Sequence, residues 1–193
     1  MKLLPIFIFL SIQSLGQQKG DTTAKHFTDS AVAIFRNTGD PKKALPLLEQ
    51  ATKIDSNYFR ALSTKFSLEM ASEMPDEALV TAKRLIKLKP EVGEYYTAIG
   101  IIYEGKQDTV SSKIFFMDAI ACYDRSLDTM SKANKHRNNI SLNKAFNLIL
   151  LGQQKSGNDI LEELYDGSHD EIYKGMIKSF MNKSRKEILE KLK

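Results

Sequence analysis

The chain has 193 residues, 42% of them hydrophobic and 27% charged, which is enough apolar material for one sizeable core. Its 28 basic and 24 acidic residues leave a formal charge of only +4, too small an excess to indicate a nucleic-acid-binding protein. The single cysteine, Cys122, excludes an intramolecular disulfide. It lies in the apolar stretch AIACYDRSL, where we expect a small buried hydrophobe and no reactive thiol.

The first sixteen residues have the three-part pattern of a secretory signal peptide. Lys2 precedes an apolar run from Leu3 to Leu10, and the small residues Ser14 and Gly16 stand just before a plausible cleavage site. This run is shorter than the roughly 20 apolar residues that span a bilayer, which disfavours a membrane anchor. We therefore expect cleavage after residue 16 and an exported protein, either periplasmic or secreted.

Two segments in the first half of the chain align without gaps at an offset of 34 residues, from Ala31 to Lys65. They read AVAIFRNTGDPKKALPLLEQATKIDSN and KFSLEMASEMPDEALVTAKRLIKLKPE. Each contains the end of one helix, an aspartate beside a proline, and a second helix with small residues along one face. These small residues are Ala44, Ala51, Ala78 and Ala82. Such stripes allow helices to approach closely, so the pattern predicts consecutive antiparallel helix pairs.

Prolines mark the predicted helix boundaries. Pro41 and Pro75 suit the first position of a helix, where the missing N–H had no partner anyway, and Asp40 can cap the helix that Pro41 begins. Pro90 follows a helix that ends in lysines. Pro46 would lie inside a helix and remove a hydrogen bond. We therefore expect either a kink at Pro46 or a helix that begins after Pro41.

The stretch EYYTAIGIIYEG, residues 94–105, has the composition of a strand but the spacing of a helix. The residues that follow one helix face are Tyr96, Ile99, Gly100 and Tyr103. We interpret it as the first helix of a third pair, with Gly100 where a neighbouring helix crosses closely. The second helix is FFMDAIACYDRSLDTM; aligning Ala119 with Ala78 gives an offset of 41, so we expect a seven-residue insertion in or near GKQDTVSSK.

A looser fourth pair follows, SLNKAFNLILLGQ and NDILEELYDG, joined by QKSG. After it come two short amphipathic segments, DEIYKGMIKSFM and KSRKEILEKL. We expect them to cap the array, because the last unit of a repeat protein must turn a polar face to water. Their predicted apolar anchors are Ile172, Ile177, Phe180, Ile188, Leu189 and Leu192.

These features resemble the tetratricopeptide repeat (TPR) family, whose helix-turn-helix unit has about 34 residues. The residues that match its pattern are Tyr96, Ile99, Gly100 and Tyr103 in a first helix and Ala78, Leu85 and Pro90 in a second. The chain departs from the pattern in having no tryptophan and in placing Glu69 where a tyrosine is expected. The resemblance covers residues 25–167.

The resemblance implies an all-α fold, a right-handed α-solenoid of antiparallel helix pairs with about four repeats plus C-terminal capping helices. The predicted organisation is a signal peptide at 1–16, TPR-like helical repeats at 17–167 and capping helices at 168–193.

The sequence offers no constellation of catalytic residues. His26, His136 and His169 are far apart in the sequence, which disfavours a metal site built from them. Phosphate-binding glycine loops and the common zinc-hydrolase and serine-nucleophile motifs do not occur. We therefore expect a protein that is not an enzyme and that has no cofactor or metal.

In the TPR family the first helices line a concave groove that usually binds a peptide or protein segment. Projecting the repeat phase gives the candidate partner-binding residues Met70, Thr97, Ile101, Glu104, Leu142, Phe146 and Ile149, after a more polar beginning at Asp29, Arg36 and Ser67. Two alternatives remain for the apolar part. It receives a hydrophobic partner, or the end helices fold back over it.

The leading hypothesis is an exported, non-enzymatic TPR adaptor or scaffold that binds a protein or peptide segment in its concave groove. The alternative is an envelope-assembly or structural component that associates with membrane or a larger complex through its convex face or its basic C-terminal end. That end contains Lys183, Arg185 and Lys186. Membrane contact is possible but not favoured over a solvated cap face, and no nucleic acid is expected.

Overall fold

The computed structural model describes residues 21–131, 134 and 136–192, with side chains as far as Glu190. The predicted signal peptide and its cleavage site lie outside the described residues. In the part that is described, all regular structure is helical, and the predicted all-α fold is confirmed.

Ten helices occupy the described residues. They are α1 (Thr22–Thr38), α2 (Pro41–Ile54), α3 (Phe59–Ala71), α4 (Pro75–Leu88), α5 (Gly93–Gly105), α6 (Thr109–Thr129), α7 (Arg137–Leu150), α8 (Gln154–Asp166), α9 (Glu171–Lys178) and α10 (Arg185–Leu192).

The helices form two compact units that meet in sequence between Pro90 and Glu91. In the first unit α1 packs against α2 and α3 against α4, and both α1 and α2 contact α3. In the second unit α5 packs against α6 and α7 against α8. There α6 also packs against α7, while α9 contacts α8 and α10 contacts α7. Successive helix pairs of this kind are the α-solenoid architecture that the sequence predicts.

Alanines let the helices of the first unit pack closely. The alanines with no exposed surface include Ala24, Ala31, Ala44, Ala51, Ala61, Ala78 and Ala82. Four of them are the stripe residues predicted from the two aligned segments. A buried methyl group in place of a longer side chain allows a short distance between helix axes, so the stripes work as predicted.

The start of α2 decides one of the two possibilities for Pro46. The helix begins at Pro41, and the Asp40 carboxylate accepts a hydrogen bond from the backbone N–H of Lys42 at 3.0 Å. It then continues through Pro46, so the expectation of a helix that begins after Pro41 is wrong. Pro46 has no N–H to donate to the carbonyl oxygen four residues before it. Because Pro46 is exposed, a water molecule can donate to that carbonyl oxygen instead.

The repeat spacing is more regular than the sequence alignment suggests. The second helices of the first three pairs begin at residues 41, 75 and 109, which are 34 residues apart. The insertion expected near GKQDTVSSK is therefore wrong. Because α6 has 21 residues and α4 has 14, the seven extra residues lengthen the C-terminal end of α6. Ser112, fully buried, occupies the position that corresponds to Ala78, which is why the alignment on Ala119 misplaced the insertion.

Glycines allow the same close approach in the second unit. A Cβ atom on Gly100 would lie 2.5 Å from the Phe116 ring, and one on Gly93 would lie 2.6 Å from the Tyr123 ring. The predicted helix in EYYTAIGIIYEG and the predicted close crossing at Gly100 are both confirmed. In the fourth pair, Gly157 has the same relation to Ile149.

The C-terminal helices contribute to the core of the second unit. Ile177, Phe180 and Ile188 are at most 2% exposed, as expected for anchors, and Leu189 packs against the same cluster. The prediction for Ile172 is wrong, since this residue is 88% exposed at the beginning of α9, well away from the side that carries Ile177. The side chain of Leu192 lies outside the described residues.

Replacing Gly100 with alanine should lower the free energy of unfolding by about 1–3 kcal/mol, because the new methyl group overlaps a fully buried phenylalanine ring. The matched control is Gly105→Ala at the end of the same helix, where an added Cβ meets nothing within 4 Å. Urea unfolding followed by circular dichroism compares the two. An equal loss of stability in both variants would contradict the packing role of Gly100.

Candidate partner-binding site

The apolar candidates on α7 are buried. Leu142 is 3% exposed, Phe146 6% and Ile149 0%, and all three belong to the core cluster of the second unit. The ring of Phe146 meets that of Phe180 edge to face, with centroids 4.7 Å apart. Of the two alternatives left by the sequence, the structure shows the second, with the end helices covering this stretch. Ile149 also packs on Gly157 of its own helix pair.

One arginine fastens α10 over this region. Arg185 donates a hydrogen bond from Nε to the carbonyl oxygen of Leu150 at 2.7 Å. Its Nη2 lies 2.5 Å from Oε2 of Glu104, a predicted groove residue. The same Glu104 oxygen accepts a hydrogen bond from the Ser112 hydroxyl at 3.0 Å. Arg185 thus connects α10 to the C-terminal ends of both α5 and α7.

The residues before α10 explain why the helix begins at Arg185. Glu187 accepts hydrogen bonds from the backbone N–H and the hydroxyl of Ser184, both at 2.8 Å, which is a capping box. Lys183 pairs with the same carboxylate at 3.0 Å. The backbone N–H of Ser184 and the Lys183 ammonium lower the pKa of Glu187 to about 2. The cap is therefore fully charged at neutral pH.

Thr97, another predicted groove residue, joins three helices through a polar network. Its hydroxyl lies 3.0 Å from the Tyr123 hydroxyl on α6 and accepts a hydrogen bond from Nδ2 of Asn147 on α7 at 2.9 Å. Asn147 is fully buried and also donates to the carbonyl of Asn143 at 2.8 Å. Burial raises the pKa of Tyr123 well above its ordinary value. The network fixes α5, α6 and α7 relative to one another.

Ile101 and Glu104 keep part of their surface accessible. Ile101 is half-buried and packs at the edge of the core cluster, and the Glu104 side chain is 17% exposed. Of these two candidates on α5, Glu104 contacts α10 directly through Arg185, and Ile101 packs against the core cluster to which Ile188 of α10 belongs. They border the seat of α10, the surface formed by the C-terminal ends of α5 and α7.

The remaining candidates belong to the first unit. Met70 is half-buried on α3, and Ser67 is nearly buried and donates to the Ser63 carbonyl at 3.0 Å. Asp29 pairs with Arg60 at 2.6 Å, with both side chains 47% exposed. Arg36 is exposed. These residues give the first unit a polar, partly ion-paired surface.

In the described residues, no three His, Cys, Asp or Glu side chains come together as a metal site, and no helix is long and apolar enough to cross a membrane. Cys122 is 2% exposed, and Arg125 approaches its sulfur at 3.2 Å. Burial raises the pKa of this thiol, in agreement with the structural role predicted for it.

No protein-family model matches the chain, and no curated protein matches it. Among solved structures the chain is similar to PilW, described as a widely conserved type IV pilus biogenesis factor. The TM-score is 0.57 and the sequence identity 17%, over 76% of this chain and 63% of that chain. The fold fits a TPR-type repeat protein. The chain spans less than two thirds of PilW, and at this identity the likeness shows the fold alone.

Four features of this region were not predicted from the sequence. Ser112 would have been found by keeping the spacing of 34 residues from Ala78 instead of searching for an alanine. The motif that caps α10, serine followed three residues later by glutamate, is visible in the sequence at position 184. Nothing in the sequence pattern indicated the contacts of Arg185 or the buried amide of Asn147.

Replacing Arg185 with alanine should lower the free energy of local unfolding of α10 by about 1–2 kcal/mol, because two hydrogen bonds of a charged group are lost. Amide hydrogen exchange in residues 185–192 should then accelerate by roughly tenfold. The matched control is Lys186→Ala, since Lys186 is 86% exposed and lies 3.9 Å from Glu190. Identical exchange in the two variants would show that Arg185 does not hold the helix.

Proposed function

We propose that the protein is an exported, non-enzymatic helical-repeat scaffold that binds a protein or peptide segment along the first helices of its pairs. The α-solenoid fold supports this proposal, because stacked helix pairs present extended surfaces without requiring a catalytic centre. Export is proposed on the N-terminal pattern Lys2, apolar run and small residues.

The observation that carries the proposal is the seat of α10. The C-terminal ends of α5 and α7 already accept a short amphipathic helix, which buries Ile188 and pairs Arg185 with Glu104. The seat therefore has both an apolar part and a carboxylate for a basic residue. We infer that a partner segment has the same chemistry, an amphipathic helix with aliphatic anchors and one arginine or lysine.

Such a partner reaches the candidate residues in two steps. Ile101 and Glu104 border the seat and are partly accessible while α10 is in place. Phe146 is accessible only after the segment around Phe180 moves away, whereas Leu142 and Ile149 are core residues of the second unit, and Ile149 packs on Gly157 of its own helix pair. Thr97 fixes α5 relative to α6 and α7 through its bonds to Tyr123 and Asn147. Met70 would belong to a contact of the first unit.

Replacing Ile101 with serine should reduce capture of the partner from envelope extracts several-fold while leaving the circular dichroism spectrum unchanged, since the side chain is at the edge of the core. The matched control is Val80→Ser on α4, 63% exposed and outside every first helix. Capture that is equal for both variants and the unmodified protein would rule out the seat. Phe146→Ser is unsuitable for this test because the residue is buried against Phe180.

The alternative, an envelope-assembly component, is favoured by the likeness to PilW, whose description is that of a pilus biogenesis factor. Under this alternative, the protein binds other proteins of a larger envelope complex. Two basic residues of the described part of the C-terminal end are ion-paired within the chain, Lys183 with Glu187 and Arg185 with Glu104. These pairs reduce the positive charge available to anionic lipid, so we favour protein contact over lipid contact.

Reversing the charge of the exposed Lys178 and Lys186 should therefore leave association with the cell envelope unchanged. Fractionation of cells that produce the double variant, K178E with K186E, measures this directly. Loss of the protein from the envelope fraction, with an unchanged helical spectrum, would instead support direct binding of the basic end to anionic lipid.

A further inference from the structure

Arg185 occupies a position that favours a cation. Glu104 lies in the last turn of α5, and Leu150 is the last residue of α7, so Arg185 contacts the C-terminal ends of two helices. Carbonyl groups at such an end lack intrahelical partners and carry the negative end of the helix dipole. The Glu104 carboxylate adds a full negative charge. We call the Glu104 carboxylate and the Leu150 carbonyl oxygen together the arginine site.

The geometry of the arginine site suits a guanidinium group better than an ammonium group. Nε of Arg185 donates to the Leu150 carbonyl oxygen at 2.7 Å, and Nη2 donates to Oε2 of Glu104 at 2.5 Å. The two acceptors belong to different helices, and a planar guanidinium reaches both with donors that are fixed relative to each other. A lysine carries its donors on one nitrogen atom at the end of a flexible stem. The geometry therefore favours arginine over lysine.

An arginine site without a cation would be unfavourable. The Glu104 side chain is only 17% exposed, and the Ser112 hydroxyl donates to the same Oε2 atom at 3.0 Å. A hydroxyl group does not balance the charge of a carboxylate that is largely removed from water, so losing the guanidinium has a free-energy cost. A segment that displaces α10 from the seat must therefore bring a cation of its own.

The helix that carries Arg185 is held more weakly than the helices beneath it. Among the described side chains of α10, only Ile188 is buried. Arg137 gives the contrast. It donates to the carbonyl oxygens of Leu127 and Met130 at the C-terminal end of α6, but it belongs to α7, which has seven buried residues. A short helix with one buried anchor opens at a smaller free energy than a core helix, so α10 can leave while α7 stays folded.

We propose that α10 is an autoinhibitory segment, which a partner helix replaces by placing its own arginine in the arginine site. This role of α10 rests on the proposed function of the seat and narrows the class of partner that binds there. In α10, Arg185 precedes the buried Ile188 by three residues, so both side chains lie on one face of the helix. A partner helix that fits the seat therefore carries the sequence Arg-x-x-Ile or Arg-x-x-Leu.

Arg185→Lys in the full chain tests the preference of the site for arginine. Lysine keeps the positive charge but lacks the fork that joins the two acceptors, so amide hydrogen exchange in residues 186–192 should accelerate by roughly threefold or more. The matched control is Lys186→Arg, at a position where the side chain is 86% exposed, and its exchange should equal that of the unmodified protein. Exchange in Arg185→Lys as slow as in the unmodified protein would refute the preference.

A labelled peptide with the sequence of residues 183–193, KSRKEILEKLK, tests the replacement of α10. In the full chain, Arg185→Ala combined with Ile188→Ser should release α10 from the seat. This double variant should bind the peptide roughly tenfold or more tightly than the unmodified protein, in which α10 competes from a high local concentration. Arg185→Ala alone keeps the core residue Ile188 and should bind with intermediate affinity, so the outcome does not depend on the stability of the double variant. Fluorescence anisotropy measures all three affinities.

The control peptide has lysine in place of its arginine and should bind the double variant several-fold more weakly. Equal affinity of the original peptide for the double variant and the unmodified protein, or binding to neither, would overturn the autoinhibitory role of α10. The probe is the chain's own sequence, so these outcomes do not depend on the envelope partner that Ile101→Ser tests. The autoinhibitory role and the proposed function can therefore fail separately.

Discussion

The helix pairs of the described residues depend on close contacts at glycine and alanine. At these contacts one helix carries a hydrogen atom or a methyl group, and a neighbouring side chain packs against it. In the second unit the glycines are Gly93, Gly100 and Gly157, which lie beneath Tyr123, Phe116 and Ile149 respectively. In the first unit, fully buried alanines take this role. The chain has one cysteine and cannot form an intramolecular disulfide, so packing alone must supply the stability.

Close packing in turn determines which polar groups can be buried. Once Tyr123 lies over Gly93, its hydroxyl comes within 3.0 Å of Thr97, and Asn147 completes the network from α7. A buried hydroxyl or amide is costly unless it is hydrogen-bonded, and here each has a partner. The network therefore disfavours any other register of α5, α6 and α7. Thr97 is better explained by this role than by direct contact with a partner.

The sequence predicted the helix pairs, the alanine stripes and the cap at Asp40, because these features depend on residues close to one another in the chain. It failed where one residue type took the place of another. Ser112 replaces an alanine at a buried position, so the search for alanines displaced the insertion by most of a helix. It also could not select an open face on α7, since residues 145–150 are all buried and the helix has no exposed side at that end.

The proposed site was harder to predict for a related reason. Sequence periodicity identifies the face of a helix that does not contact the other helix of its pair. It does not identify which other segment of the chain packs on that face. Here the cover is α10, which comes from more than 80 residues further along the chain than Glu104, its ion-pair partner. Local patterns carry no information on contacts of this range, although they do identify α10 itself as amphipathic.

In the proposed function, competition with α10 restricts the partners that the seat can accept. Because α10 belongs to the same chain, its local concentration at the seat is far above that of any free peptide. However, α10 has only eight residues, and a helix of this length is marginal without tertiary contacts. It is held mainly by Ile188, by the bonds of Arg185 and by the cap at Ser184. A partner that merely copies these contacts cannot displace it. A partner must therefore contact additional surface, such as Phe146 once uncovered, and this requirement would make the seat selective for longer helical segments.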